Sequence, residues 1–296
     1  MKKLTFIVNP ISGRTTKENI VNTIVSHIDM SKYDVTIRFS SYAGHATEIA
    51  VTAVQGGADI IVAVGGDGTI NEVARALVGT DVALGIIPCG SGNGLARHLH
   101  IPMNVRKAVE IVNDGSIDKI DTLSVNGIPC FCTAGVGYDA YVSAEYAKDS
   151  SRGLATYVQK AVQGWFSSEP QEHIIETDTQ ILKRKAVSIT CANANQWGNE
   201  FHIAPQASLK DGLMDITIIH PVHFKHAVSM PAQILGYSFD KNPDVETIRA
   251  KKVLIRKFKS HFIHIDGESM MISEDLNFEI YNRSLKILVN KDCILL

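Results

Sequence analysis

Three short glycine-rich stretches in the first hundred residues have the chemistry of phosphate binding: Asn9-Pro10-Ile11-Ser12-Gly13, Gly65-Gly66-Asp67-Gly68-Thr69 and Pro88-Cys89-Gly90-Ser91-Gly92-Asn93. Each follows an apolar run and precedes a segment of helical spacing, where free backbone N–H groups and a helix dipole receive an anion. Glycine lets the backbone approach a phosphate that a Cβ would hold off. One such stretch could be only a tight strand-to-helix turn; three at successive strand ends are harder to dismiss. Neither common nucleotide fingerprint is present. There is no G-x-x-x-x-G-K-[ST], and Asp67 stands where a dinucleotide turn wants small neutral residues. A carboxylate inside a phosphate turn repels its ligand unless a cation lies between, so Asp67 implies Mg²⁺ or proton handling, as in a kinase.

Further carboxylates occur at Asp211-Gly212 and Asp266-Gly267-Glu268. Asp-Gly is also among the strongest hairpin signals, so both can be read as turns. Asp215 reads as a solvated strand position. Arg97, on the helix after the third loop, either faces phosphate or is solvated. The histidines, among them His45, His202, His261 and His264, do not fall at metal spacing with acids and read as structural or surface groups. The 5 cysteines are scattered and lack paired spacing, so they read as buried thiols, with Cys130 and Cys132 on one face of an apolar strand.

The elements that must position these residues change character along the chain. Apolar runs at Leu4 to Val8, Tyr33 to Phe39, Asp59 to Val64 and Val82 to Ile87 alternate with helical spacing around Ile20 to Ile28, Ala46 to Val54 and Asn71 to Leu77. That order predicts a parallel sheet with helices on both faces and ligands at the strands' C-terminal ends. Beyond about Leu123 the pattern is β-rich: Ile128 to Ala134, Gln171 to Thr177, Ala186 to Ala192, Met214 to Ile219, Lys252 to Ile255, Phe262 to Ile265, Leu276 to Ile280 and Leu285 to Val289. Helical spacing interrupts it near Leu154 to Trp165 and His223 to Leu235. The fold expected is α/β: an N-terminal Rossmann-like parallel-sheet domain, 1–123, and a C-terminal β-sandwich domain, 124–284, with the segment from about 285 to 296 returning to the first. At 296 residues the length suits two domains, and 45% hydrophobic with 20% charged residues excludes disordered and collagen-like classes. A net charge of −2 supplies no field for nucleic acid, and no apolar stretch approaches a membrane span. A cytoplasmic protein is expected.

The ordered set of motifs resembles the diacylglycerol kinase catalytic domain family, which includes bacterial lipid kinases, sphingosine kinases and ceramide kinases. Gly65-Gly66-Asp67-Gly68-Thr69-Ile70-Asn71-Glu72-Val73 carries the resemblance between the two flanking loops. It continues through Trp197-Gly-Asn-Glu-Phe-His-Ile-Ala-Pro205, Lys210-Asp-Gly-Leu-Met-Asp215 and Ile265-Asp-Gly-Glu268, almost the whole chain. The Gly-Gly-Asp-Gly-Thr element alone is shared with NAD kinases. The resemblance implies ATP held by Asn9, Pro10, Ile11, Ser12, Gly13, Ser40, Gly66, Asp67, Gly68, Thr69, Ile70, Asn71, Glu72, Gly90 and Ser91, with Ser40 matched only by its spacing from Gly44-His45-Ala46-Thr47. It implies Glu268 as general base, with Asp67 acting beside it. It also implies a magnesium site made by the Asp211 side chain and the carbonyls of Ser208 and Leu213, linked to the active site through water by Asp121.

Function follows as an expectation: ATP-dependent phosphorylation of a lipid alcohol such as diacylglycerol or a sphingoid base. The alternatives are an NAD kinase-like soluble kinase and a nucleotide-binding regulatory module without catalysis. An acceptor of this kind implies peripheral membrane contact, for which Tyr146 to Trp165 with Phe166 (Tyr157 and Trp165 beside Lys148, Arg152 and Lys160) supplies aromatic and cationic residues; the plainer reading is a covering helix. No nucleic-acid partner is expected, and a homodimer is left open.

Overall fold

A computed structural model describes residues 1–12, 17–138, 140, 169–256, 262–272 and 274–291. Gly13, the aromatic and basic stretch from Tyr146 to Phe166, His261 and Cys293 lie outside the described residues. The chain divides into two compact units, Met1–Asp121 with Asn282–Leu296, and Thr122–Tyr281.

The first unit is a parallel α/β layer. Strands β1 (Lys2–Val8), β2 (Tyr33–Phe39), β3 (Ile60–Gly65) and β4 (Ala83–Pro88) run in the order β2-β1-β3-β4. Register is direct, with Leu4 opposite both Val35 and Ile60, and Ile60 opposite Ala83. Every residue of β3 and β4 is buried, as expected of strands covered on both faces. Helices α1 (Lys17–His27), α2 (His45–Gln55), α3 (Asp67–Leu77), α4 (Gly94–His98) and α5 (Val105–Asp114) complete the unit; α1 packs on α5 and α2 on α3. The C-terminal half of a long strand, β16 (Leu276–Val289), pairs in parallel with β4 at Ile287 and Leu84.

The second unit is built from antiparallel strands in two layers. One runs β12 (Val245–Ala250), β11 (Met214–Ile219), β10 (Ser188–Ala192), β7 (Thr133–Gly137), β14 (Phe262–Ile265), β15 (Glu268–Met271). The other pairs the N-terminal half of β16 with β13 (Lys252–Arg256), then β8 (Gln171–Thr177) and β9 (Ile181–Ala186); β5 (Ser116–Val125) joins β6 (Ile128–Cys130) and β16. Between the layers lies one core in which Leu123, Val125, Ile175, Val253 and Phe278 meet Ile189, Ile216, Ile218, Ile263 and Ile265. This is the sandwich expected. A smaller core of Ile203, Ala204, Met230, Phe239 and Val245 sits beneath α6 (Phe224–Ala227) and α7 (Met230–Leu235).

Several local expectations need correction. Ile128 to Ala134 is not one strand: β6 stops at Cys130 and β7 starts at Thr133, because residues 131 to 133 turn their N–H groups onto Asp266. Cys130 and Cys132 are therefore not alternate residues of one strand, although both are buried. Leu276 to Val289 is one strand rather than two; polar Tyr281-Asn-Arg-Ser284 resembles a turn, but only Arg283 leaves the extended region, at φ 49°. The helix read near His223 to Leu235 is two short ones. Strands β5, β9 and β12 have mixed polar faces and escaped the apolar-run reading. Asp215 is not solvated: it is 2% exposed and paired with Arg249.

Candidate active site

In the first unit, the loops after β1, β3 and β4 emerge from adjacent parallel strands. The second and third are packed backbone to backbone at Gly66 and Gly90. A Cβ on Gly90 would stand 2.6 Å from Gly66 Cα, and one on Gly65 would stand 2.4 Å from Thr69 Oγ1. No substituent larger than hydrogen fits at either place, so the sequence needs glycine here for closeness rather than for a special dihedral.

Asp67 opens α3 and ties the second loop to the third. Its Oδ2 accepts the Asn93 N–H at 2.7 Å and its Oδ1 the Gly94 N–H at 2.8 Å, at the start of α4. A Cβ on Gly92 would stand 2.7 Å from the same carboxylate. Asn93, buried and left-handed at φ 53°, closes the loop on itself: Oδ1 accepts Gly90 N–H at 3.1 Å and Nδ2 donates to Gly90 O at 2.7 Å. Arg97 donates from Nε to Gly92 O at 3.0 Å, so it braces the loop and is not simply a solvated helix residue. The first loop is set by Asn9, whose Nδ2 donates to Thr69 Oγ1 at 3.1 Å while its Oδ1 accepts the Ile11 N–H at 3.1 Å. Pro10, Ile11 and Ser12 follow in this turn, with Ile11 89% exposed and free to line a ligand.

Ser40 follows β2 beside these loops, buried, with its N–H on Val8 O at 3.0 Å. Glu72 holds the next turn. Its carboxylate accepts the Gly44 and Ala46 N–H groups at 2.9 and 3.0 Å, while Thr47 Oγ1 donates to the Glu72 carbonyl at 2.8 Å. Gly68, Thr69, Ile70 and Asn71 form the first turns of α3, with Thr69, Ile70 and Asn71 buried. The family resemblance named Glu72 as a nucleotide contact and did not announce this task. Burial pushes the Cys89 thiol up to about 11, which leaves it a neutral packing group.

In the second unit, Glu268 is exposed at the first residue of β15. It is presented by a two-residue turn in which Asp266 and Gly267 both have positive φ, 50° and 85°, the geometry that Asp-Gly hairpins adopt. Asp266 is anchored across the unit: its carboxylate accepts the N–H groups of Phe131, Cys132 and Thr133 at 2.9, 2.7 and 3.2 Å and the Cys130 thiol at 3.1 Å. Burial, followed by the charge of Asp266, holds the Cys130 thiol well above its ordinary range. The turn that carries Glu268 is therefore fastened by a carboxylate.

Asp211 lies in the turn before β11, where Gly212 has φ 73°. Its Oδ1 accepts the Leu213 N–H at 3.0 Å and its Oδ2 pairs with Arg249 Nη2 at 2.7 Å; Ser208 Oγ accepts the Lys210 N–H at 3.2 Å. Burial raises the Asp215 carboxyl to about 6 against the pull of Arg249. Arg249 was not found from sequence, because a lone basic residue in an alternating strand carries no local signal. Asp121 belongs to the first unit, fully buried, with Oδ1 accepting the Arg283 N–H at 2.7 Å. Among the described residues no three His, Cys, Asp or Glu side chains group as a metal centre.

Residues 3–125 match the model of the diacylglycerol kinase catalytic domain, and residues 132–289 that of the YegS C-terminal NAD kinase beta sandwich-like domain. The chain is 28% identical over 273 residues to a Bacillus subtilis protein named diacylglycerol kinase, covering 90% of each. It is 30% identical over 282 residues to an uncharacterized Synechocystis protein, covering 90% of this chain and 62% of that longer one. In fold it is similar to a diacylglycerol kinase from Bacillus anthracis, with TM-score 0.76, 20% identity and 99% and 98% of the two chains covered. An NAD kinase from Archaeoglobus fulgidus, solved in complex with ATP, shares the fold at TM-score 0.51 and 14% identity, over 97% and 94% of the chains. With both halves matched by models that follow one another along its length, the chain belongs to the diacylglycerol kinase catalytic domain family of ATP-dependent lipid kinases.

Proposed function

We propose that this chain transfers the γ-phosphoryl group of ATP to the hydroxyl of a lipid alcohol, diacylglycerol or a sphingoid base. The observation that carries the reading is the glycine-on-glycine packing of Gly66 and Gly90, fastened by Asp67, at neighbouring parallel strand ends. It gives a phosphate chain a backbone-lined seat made by the loops at residues 9–12, 66–72 and 90–91, with Ser40 beside it. The first unit is then the nucleotide-binding domain, and the second supplies the acceptor site and the base.

In the transfer, the acceptor hydroxyl oxygen forms a bond to the γ-phosphorus as the bond to the β–γ bridging oxygen breaks, and ADP leaves with that electron pair. Glu268 takes the hydroxyl proton on its carboxylate. Its exposure at the tip of an anchored hairpin suits a group that must meet an incoming alcohol. Asp67, with both oxygens already receiving N–H groups, keeps the phosphate loops in register and places negative charge where a nucleotide-bound cation would sit.

Magnesium is a separate part of the reading. The Asp211 carboxylate and the carbonyls of Ser208 and Leu213 are all hard oxygen donors, the donor chemistry that suits a divalent cation. Mg²⁺ there would supply structural cross-linking of the turn before β11. A lipid acceptor also requires contact with a bilayer surface. No helix among the described residues is long and apolar enough to cross one.

The test is ATP turnover by the full chain over a panel of diacylglycerol, sphingosine and ceramide in mixed micelles, with NAD⁺ in parallel. Phosphorylation of a lipid alcohol is expected. Turnover of NAD⁺ alone would replace the reading with the NAD kinase one, and nucleotide binding without turnover would leave a regulatory module.

A further inference from the structure

Asp211 already has a cation, and the chain itself supplies it. Arg249 stands directly opposite Asp215 in the β11–β12 pairing, so its guanidinium is delivered by strand register. Nη2 lies 2.7 Å from Asp211 Oδ2 and donates to Gln206 O at 3.4 Å. Nε lies 3.2 and 3.3 Å from the two oxygens of Asp215, and Nη2 a further 3.3 Å from Oδ2. Asp215 is 2% exposed and cannot turn to solvent, so the fork is held at its inner end, while the Arg249 side chain as a whole is 42% exposed. The other oxygen of Asp211 receives the Leu213 N–H at 3.0 Å.

A divalent cation on Asp211 must therefore share a carboxylate with a guanidinium at hydrogen-bond distance. Like charges that close repel, and the penalty is paid by whichever cation is free to leave. We propose that Arg249 is a resident counter-cation of the 208–213 loop, competing with the divalent cation for Asp211 and setting the loop's affinity for it. The inference rests on the magnesium reading above. If Arg249 instead only oriented the Asp211 carboxylate for metal, removing it would weaken binding, the opposite sign.

The test is calorimetric titration of nucleotide-free full-length protein with MgCl₂, comparing wild type, Arg249→Met, Arg249→Lys and Asp211→Asn. Arg249→Met should bind Mg²⁺ on the order of tenfold more tightly than wild type, and Arg249→Lys, which keeps the charge, should stay close to wild type. Asp211→Asn should lose the site. Because Arg249→Met leaves Asp215 buried without its partner, the double variant Arg249→Met/Asp215→Asn serves if the single one fails to fold, with the same tightening expected. Unchanged or weaker binding in the Met variants, with the site still lost in Asp211→Asn, overturns the competition and leaves the metal reading standing. No difference between wild type and Asp211→Asn overturns both.

Discussion

Asp266 and Cys132 lie 134 positions apart in sequence and are joined by a 2.7 Å hydrogen bond from the Cys132 N–H to Oδ1. With the neighbouring bonds from Phe131 and Thr133, one carboxylate takes three successive backbone donors. Glu268 is two residues further on, so the position of the proposed base depends on a contact that neither Asp-Gly spacing nor turn propensity announces. Asp266→Asn places an amide that can accept at only one atom against these donors. Unfolding midpoints in urea should show a loss of about 2–3 kcal/mol, within the range for breaking charge-assisted bonds to buried donors. An unchanged midpoint would mean that the nest adds no stability.

Glu268→Gln should behave otherwise. It keeps shape and exposure but cannot take a proton, so kcat should fall on the order of 10²–10⁴-fold while the KM for ATP moves little. The wild-type kcat–pH profile should show an acidic limb, activity declining as a carboxylate base is protonated, and that limb should be absent from the residual activity of the variant. Persistence of that limb in the residual activity of the variant would remove Glu268 from the role.

Gly90→Ala tests the loop packing. The added Cβ meets the backbone at Gly66 Cα, 2.6 Å away, and the Asn93 side chain at Oδ1, 2.9 Å away, an amide already bonded to Gly90 at both its ends. The loops must part, and ATP affinity measured by titration should drop by about tenfold or more, equivalent to at least ~1.4 kcal/mol. Affinity equal to wild type would take this pair of loops out of the nucleotide site.

Asp67→Asn probes the tie between those loops. One of the two bonds, to Asn93 N–H or to Gly94 N–H, must fail, because the amide nitrogen cannot accept. Transfer should be nearly abolished and the thermal midpoint should fall with a loss of about 1–3 kcal/mol. Wild-type turnover in this variant would refute both the structural tie and the role beside the phosphates.

The parallel sheet and the glycine-rich turns were legible because their signals are local: a fully buried strand is a continuous apolar run, and a strand-to-helix turn needs glycine. Asp67, Glu72 and Glu268 were found by motif, yet the partners that give them work are tertiary. Glu72 caps a helix that begins 27 residues before it in the chain, at His45, and Arg249 meets Asp211 and Asp215 only through strand register. The single long strand from Leu276 to Val289 was hidden for a different reason. Its polar middle, where Arg283 takes a positive φ and gives its N–H to Asp121, has the composition of a turn without being one.

That strand also imposes an order on synthesis. The first unit takes in residues from Asn282 onward, and Ile287 pairs with Leu84 on β4. A ribosome therefore releases the glycine-rich loops and nearly all of the second unit before the strand that completes the first sheet exists. Until then β4 presents an apolar edge with unpaired backbone groups, the kind of edge that recruits foreign strands. A nascent chain halted before residue 282 has every residue of the three glycine-rich loops in hand and an unfinished sheet on which to mount them.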